Sequence, residues 1–518
     1  MNTYQTDCLI LGGGLSGLLA ARALVRADLP VTLLYDGPGA SPWVHGFGAP
    51  VLASDSPEEF YQNTVETGVV SDPVLDRALC GDALDVVRDV EADMGLAFNP
   101  GKNGEAYQVL RPLGASQARV VSIGNETGPE IIDRVRKELD GKVTELSGCR
   151  AVRLLMKNGK PAGVLAWNRS GQSWFTVSAR AVLLAGGGFC GIYPQTTNKW
   201  DSGADMIAMA WEAGAPLRDL EFIQFEPSGA VWPPELRGTS MITTMFYEGA
   251  VMRNGAGERF MEEKVPKDVM ARKIAEEINA GRATPHGGIW FDARGVGRAR
   301  LNEAYPMYVE RYRQVGMDLA EEMIELAPAA HTSLGGVIIN ENCETGVDGL
   351  FACGEAVGGI HGANRIGGNA GLETLVFGRR AGNALVRWLK NHPGKAPELF
   401  QIHEPVGKDP DPSLREEMQT LLNRCAGVLR NGKDLAEAEE KLLLLKQRAD
   451  ACDSFEGIRL QNDLTGAILL VRAALARKGS LGCHTRTDSD PEDAGRYVVV
   501  QRRTPDGKEL TERKEYHG

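Results

Sequence analysis

The segment Gly12-Gly13-Gly14-Leu15-Ser16-Gly17 sets three glycines at the spacing G-x-G-x-x-G, between an apolar run (Asp7 to Leu11) and a helical pattern (Leu15 to Ala27). Each glycine has a steric duty. Gly12 makes the tight turn, Gly14 admits a pyrophosphate to the backbone, and Gly17 lets the helix pack on the strand. The helix N-terminus at Leu15 and Ser16 adds partial positive charge for phosphates. Asp36 follows Gly17 by nineteen residues, at the end of a second apolar run, Val31 to Tyr35, where a carboxylate can accept hydrogen bonds from ribose hydroxyls. Together these residues predict a bound dinucleotide. The spacing alone leaves both a nicotinamide and a flavin dinucleotide open.

The elements that must position such a loop are a strand, a helix and a second strand, a βαβ unit. Strand and helix patterns continue through a helix at Ile131 to Leu139 and a strand at Ala181 to Ala185 that ends in Gly186, Gly187 and Gly188. This alternation predicts an α/β fold with a doubly wound, largely parallel sheet. From about Ala230 to Pro328 the texture changes to Pro, Trp, Met and charged residues, with a helix near Val269 to Asn279. The parallel-sheet texture returns at Gly335 to Asn340 and Gly349 to Cys353. The reading is therefore a discontinuous dinucleotide domain (1–229 and 329–395) with a second domain (230–328) inserted into it, and a substrate bound between the two. After a polar, Pro-rich stretch, Ser413 and Glu416 predict a capping box and a helix start. Leu435 to Arg448 and Leu464 to Ala476 predict two more helices, which completes a helical region over 410–480. Residues 485–518 read as a tail, with Pro491 to Gly518 an edge hairpin or a partly ordered end.

Composition narrows the function classes. A net charge of −12 over 518 residues, with no basic run, argues against a nucleic-acid partner. The longest apolar stretch, Leu464 to Leu475, is interrupted by Gly and Arg and falls short of a membrane span. The N-terminus lacks the features of a secretory leader, so a cytoplasmic address is expected. Nine cysteines, none spaced C-x-x-C, argue against structural disulfides, zinc and iron–sulfur clusters, and no metal site is expected.

Downstream, Gly349-Leu350-Phe351-Ala352-Cys353-Gly354-Glu355-Ala356 and His361-Gly362-Ala363-Asn364-Arg365-Ile366-Gly367-Gly368-Asn369 closely resemble the flavoprotein subunits of succinate dehydrogenase and fumarate reductase, and L-aspartate oxidase. Further pieces agree in order: Asn125-Glu126-Thr127-Gly128, Gly203-Ala204-Asp205, Glu221-Phe222-Ile223-Gln224-Phe225, Gly257-Glu258-Arg259-Phe260-Met261 and His331-Thr332-Ser333-Leu334-Gly335-Gly336. The resemblance implies an FAD-dependent oxidoreductase with an α+β capping domain inserted into the flavin domain and a helical C-terminal region. It implies that Glu355 holds ribityl hydroxyls and that Asn369 lies by the isoalloxazine, with Gly186, Asp205, Gly354, Ala370 and Leu372 also at the cofactor. The family's histidine-linked flavin sits in an S-H-T segment, whereas this chain runs Ala40-Ser41-Pro42-Trp43-Val44-His45, so non-covalent FAD is expected.

The family grips a dicarboxylate with two histidines, a Thr–Glu pair and two arginines. His331 and Arg365 match two of these positions and would anchor a carboxylate. The family's Q-F-H-P-T reads Gln224-Phe225-Glu226-Pro227-Ser228, which puts an acid where a histidine is expected and inverts the local charge. The proton-carrying arginine is replaced by Lys267, and Thr243 and Thr244 come without the carboxylate. The family's S-R-G-x-H reads Ser480-Leu481-Gly482-Cys483-His484. The expectation is hydride transfer with a small carboxylate-bearing substrate other than succinate, fumarate or L-aspartate. Lys267 would carry the proton, Glu226 would face a cationic or hydrogen-bond-donating group, and oxygen, a quinone or a separate protein would be the electron partner. Two rivals stay open: a genuine succinate, fumarate or L-aspartate enzyme, and a degenerate flavoprotein with only a binding role in an assembly.

Overall fold

The computed structural model describes residues 1–517 apart from 103, 113, 114, 125, 400–403, 406, 491 and 505. Asn125, Pro491 and Gly518, and part of the Pro-rich stretch before Ser413, lie outside the described residues.

The strand Asn2–Leu11 is the centre of the main sheet. It pairs parallel with Val31–Tyr35 on one side and Ser173–Leu184 on the other. Thr144–Ser147 and Leu350–Ala352 extend the parallel part. Leu9, Ile10, Leu33 and Val182 are fully buried, as continuous apolar runs require when helices cover both faces of a sheet. The glycine-loop helix Leu15–Arg26 packs against the helix Asn369–Asn391. The two backbones come close because Gly378 and Gly382 face Ser16 and Ala20; a Cβ at either glycine would stand 2.8 Å from the facing Cα.

The sheet is largely parallel, as expected, with one antiparallel addition. Cys149–Lys157 and Lys160–Asn168 join the same seven-stranded sheet as an antiparallel hairpin. Its two-residue turn, Asn158-Gly159, has φ of 54° and 75°, the left-handed pair that an Asn-Gly hairpin turn requires.

A second sheet, fully antiparallel, contains Ile223–Trp232, Ile324–Ser333, Ile289–Asp292 and Val251–Arg253. It carries its own apolar core, in which Met245, Met252, Met270, Phe291 and Leu326 are buried together. The helix here is Lys267–Asn279, beginning two residues before its first apolar position.

Gly335 to Asn340 does not return to the parallel sheet. Only Gly336–Val337 is a strand, and it pairs antiparallel with Leu217–Arg218 in a third sheet, completed by the C-terminal hairpin Tyr497–Arg503 and Glu509–Glu515. The alternation of apolar and charged residues near the end of the chain is therefore a hairpin.

The C-terminal helices are Ser413–Cys425, Gly432–Ala449 and Phe455–Ala476. The capping box does not form. Ser413 is already helical, and its backbone N–H donates to Asp411 Oδ1 at 3.0 Å, so Asp411 performs the service expected of Ser413. The last helix starts nine residues before Leu464. Its first turns carry the polar residues Arg459, Asn462 and Asp463, which are 8%, 5% and 1% exposed. Among the described residues no helix is long and apolar enough to cross a membrane. The nine cysteines are free thiols, eight of them buried.

Candidate active site

A cleft of about 200 Å³ opens at the carboxyl ends of the parallel strands, where ligands of doubly wound sheets bind. The glycine loop forms its floor through Gly12, Gly14, Leu15 and Ser16. Gly12 has φ +133°, and a Cβ there would fall inside the carbonyl oxygen of Ala185. Gly17 stands behind the floor; a Cβ there would enter the carbonyl of Gly12, so its role is to let the helix approach the strand. The walls carry Asp36, Gly186, Asp205, Gly354, Glu355 and Ala370. Leu372 is fully buried in the core instead of lining the cleft. Asn369 lines a smaller neighbouring cleft with Gly48 and Ile366.

Two carboxylates of this cleft are held in place. Asp36 Oδ2 meets Arg169 Nη2 at 2.6 Å. Glu355 receives Asn198 Nδ2 on both oxygens at 3.1 Å and the Ser333 backbone N–H at 3.0 Å. Burial pushes the Glu355 carboxyl above its usual range, and these donors act against that shift. The residues fit FAD. The cleft combines a phosphate-sized glycine cradle with a carboxylate at the ribose position. Asn369 Oδ1 is a buried acceptor with no hydrogen-bond partner among the described residues, which a donor such as a flavin ring N–H would satisfy.

The four candidate catalytic residues meet at one place, although they come from four separate parts of the chain. Glu226 and His331 lie on paired strands that carry β-bulges. The register passes from Gln224↔Thr332 to Phe225↔Ala330, leaving His331 unpaired and free to be re-aimed, as bulges beside active sites do. Lys267 is the first residue of its helix, an unfavourable position for a cation because the helix N-terminus is itself positive. Glu226 supplies the counter-charge: its Oε2 accepts from Lys267 Nζ in a short contact, and its Oε1 accepts from Ser228 Oγ at 2.7 Å. Arg365 donates through Nε and Nη2 to Gln224 Oε1 at 3.2 and 2.9 Å. His331 Nδ1 lies 2.9 Å from Thr197 Oγ1.

This geometry corrects the expected charge inversion. Glu226 is 3% exposed, and burial pushes its carboxyl up; the Lys267 ammonium is the main influence against that, and the carboxyl is held below its usual range. Acid and lysine neutralise each other. His331 is pushed down to about 3, mainly by burial, so it is a neutral imidazole at physiological pH. Burial also lowers the Arg365 guanidinium, whose nearest partner is the uncharged Gln224 amide. Of the four, Arg365 is the cation with no ion-pair partner among the described residues, the Glu355 and Glu373 carboxylates acting on it only from further off.

Spacing arguments missed Thr197, Asn198 and Ser41. Asn198 bridges the two halves of the site, donating to Glu355 and to the His331 carbonyl oxygen at 3.0 Å, while Ser41 Oγ accepts from the Leu15 N–H at 2.9 Å. The one clue in the sequence is a cluster of small polar residues, Gln195-Thr196-Thr197-Asn198, after the glycine-ended strand.

Residues 7–370 match the family model described as FAD binding domain, and residues 415–513 the model described as Fumarate reductase flavoprotein C-term. The chain is 32% identical to a component of Fumarate reductase (CoM/CoB) from Methanothermobacter marburgensis, over 94% of each chain. It is 31% identical to L-aspartate oxidase 2 of Ralstonia nicotianae, over 93% of this chain and 91% of that one. Among solved structures it is similar to Mycobacterium smegmatis Sdh1 in complex with UQ1, with a TM-score of 0.89 and 26% identity over 100% of this chain and 95% of that one. With a fold, a cofactor cleft and matching relatives over nearly its whole length, the chain belongs to the FAD-dependent oxidoreductases of the succinate dehydrogenase and fumarate reductase flavoprotein and L-aspartate oxidase family.

Proposed function

We propose that this flavoenzyme transfers hydride between non-covalently held FAD and a carbon of a small substrate bearing a single carboxylate. The observation that carries the reading is the Glu226–Lys267 ion pair, which leaves Arg365 as the cation of the cluster with no ion-pair partner among the described residues. Succinate, fumarate and L-aspartate each bring two carboxylates. Two like charges about 4 Å apart repel by roughly 4 kcal/mol at the effective dielectric of protein sites, so the second carboxylate needs its own cation.

When bound, FAD supplies the hydride-accepting and hydride-donating centre. The protein supplies orientation and protons. Arg365 binds the carboxylate through its guanidinium fork, and Gln224 holds that fork in plane. His331 shares a hydrogen bond with Thr197 through Nδ1, which fixes the ring and leaves Nε2 to hydrogen-bond the substrate as a neutral group. Lys267 holds the transferable proton, and the Glu226 carboxylate fixes its position. Glu226 retains lone pairs for an amine or hydroxyl of the substrate. The separate apolar core between Ala230 and Leu326 supports a capping unit that closes over this site. Oxygen, a quinone or a separate protein takes or supplies the electrons.

Anaerobic flavin reduction by hydroxy- and amino-monocarboxylates, beside succinate and L-aspartate, tests the reading, together with reoxidation of the reduced enzyme by fumarate. The Glu226→His and Lys267→Arg variants should gain dicarboxylate activity relative to the parent. Turnover of any of the three dicarboxylates by the unmodified protein within tenfold of a typical enzyme rate of about 10 per second would sink the proposal.

A further inference from the structure

The polar residues early in the helix Phe455–Ala476 are buried, and they sit directly behind the dinucleotide cleft. Asn462 Nδ2 donates to Asp205 Oδ1 at 2.6 Å and to the Val152 carbonyl oxygen at 3.0 Å. Asp463 Oδ1 accepts the backbone N–H of Ala204 at 2.8 Å. Ala204 is the N-cap of the helix Asp205–Glu212, and Asp463 accepts its backbone N–H from another part of the chain, the service that the N3 acid of a capping box would perform locally. Asp463 Oδ2 meets Arg415 Nη1 at 2.7 Å, from the first C-terminal helix.

The contacts continue toward the cleft. Asp205 Oδ2 accepts from Arg150 Nε at 2.8 Å, Arg150 Nη2 donates to the Asp201 carbonyl at 2.9 Å, and Arg150 Nη1 lies 3.7 Å from Asp36 Oδ2. Asp36, Arg150 and Asp205 all line the cleft, and Asp36 stands at the end of the second strand, the ribose-facing position of a dinucleotide fold. Two glycines make room for the arrangement. A Cβ on Gly203 would strike the Asp463 carboxylate, and one on Gly466 would strike Ala204 Cβ. A helix serving only as packing would place apolar side chains here, because a buried amide or carboxylate is costly unless it is fully bonded.

We propose that Asn462 and Asp463 are positioning residues for the adenosine half of FAD: the C-terminal helical region sets Asp205 and Arg150, and through them Asp36, so that the flavin domain holds its cofactor only with that helix docked. The proposal rests on the reading that FAD is bound non-covalently, which acid precipitation of the unmodified protein decides on its own.

The test uses full-length apoprotein titrated with FAD and, separately, with FMN, which lacks the adenosine half. Asn462→Leu removes the donor to Asp205 at similar volume. Its FAD affinity should fall about tenfold, the effect of one hydrogen bond to a charged group, while FMN affinity stays near the parental value; the apoprotein melting temperature falls as well, because Asp205 and the Val152 carbonyl lose a buried donor, so the contrast between FAD and FMN is what reads the positioning role. Asp463→Asn keeps an acceptor for Ala204 but loses the charge facing Arg415. It should show a smaller loss of the same FAD-specific kind, and it carries the comparison if the leucine variant does not fold. An FAD affinity within twofold of the parent in both variants, or an equal loss of FAD and FMN, overturns the proposal.

Discussion

At the scale of single residues, the site is decided by which charges are already spoken for. Arg365 faces an amide and keeps its charge for a ligand, whereas Lys267 and Glu226 satisfy each other. Arg365→Ala should therefore leave FAD in place and weaken small carboxylates by about 2–5 kcal/mol, the cost of leaving a buried charge unpaired. Carboxylate titrations followed in the flavin spectrum check this; an unchanged titration would remove Arg365 from the site. His331 yields a prediction about pH. Its folded pKa is depressed from 6.5 to about 3, so above pH 6.5 it is neutral in both folded and unfolded chains and contributes nothing to pH dependence. As pH falls from 6.5 toward 3 the unfolded chain takes up a proton that the folded site refuses, and stability is lost. Urea midpoints of parent and His331→Gln should differ by a constant amount above pH 7 and move in favour of the variant at pH 5. A difference independent of pH would show that His331 is not depressed.

At the scale of elements, the dinucleotide loop works because a helix and a strand touch where no side chain intervenes. A Cβ at Gly17 would enter the Gly12 carbonyl and stand 3.2 Å from Ile10 Cγ2. These are backbone and fully buried neighbours, so neither can give way. Gly17→Ala should destabilise the chain by about 1–3 kcal/mol, the usual cost of overpacking, and lower the flavin content of the purified protein. Thermal unfolding and flavin absorbance per chain measure both, and a fully loaded variant of parental stability would contradict the packing argument. The bulges between Ile223–Trp232 and Ile324–Ser333 act similarly on the substrate side, since an unbroken ladder would pair His331 and restore the alternation of side chains.

At the scale of the whole molecule, the candidate cofactor cleft is lined from the first and last parts of one discontinuous sheet and the segments around them, and the candidate catalytic cluster comes from the second sheet, its helix and the loop before Asn369. His45 is exposed on the loop where the family's flavin-linking histidine would be sought, and it lies several residues later than that histidine. Acid precipitation should release all the yellow colour into the supernatant. A pellet that stays yellow and fluoresces on a denaturing gel would overturn the non-covalent reading.

The local features of this protein are determined by sequence alone. The glycine spacing, the strand before it and the helix after it depend on residues within thirty positions of one another, and each carries its reason in its own chemistry. The Asn158-Gly159 hairpin is legible on the same terms but hides within the α/β rhythm. The family motifs around Glu355 and Arg365 likewise identify the cofactor. What only tertiary structure decides are the pairings between distant groups. Glu226 looks like an uncompensated acid until a lysine forty-one residues later closes on it, and Asn462 and Asp463 gain their partners only when their helix is buried against Asp205 and Ala204. The physical reason is that a side chain's type fixes its possible charge and hydrogen bonds, while its burial and its partners fix which of these remain available, and only the folded chain sets those.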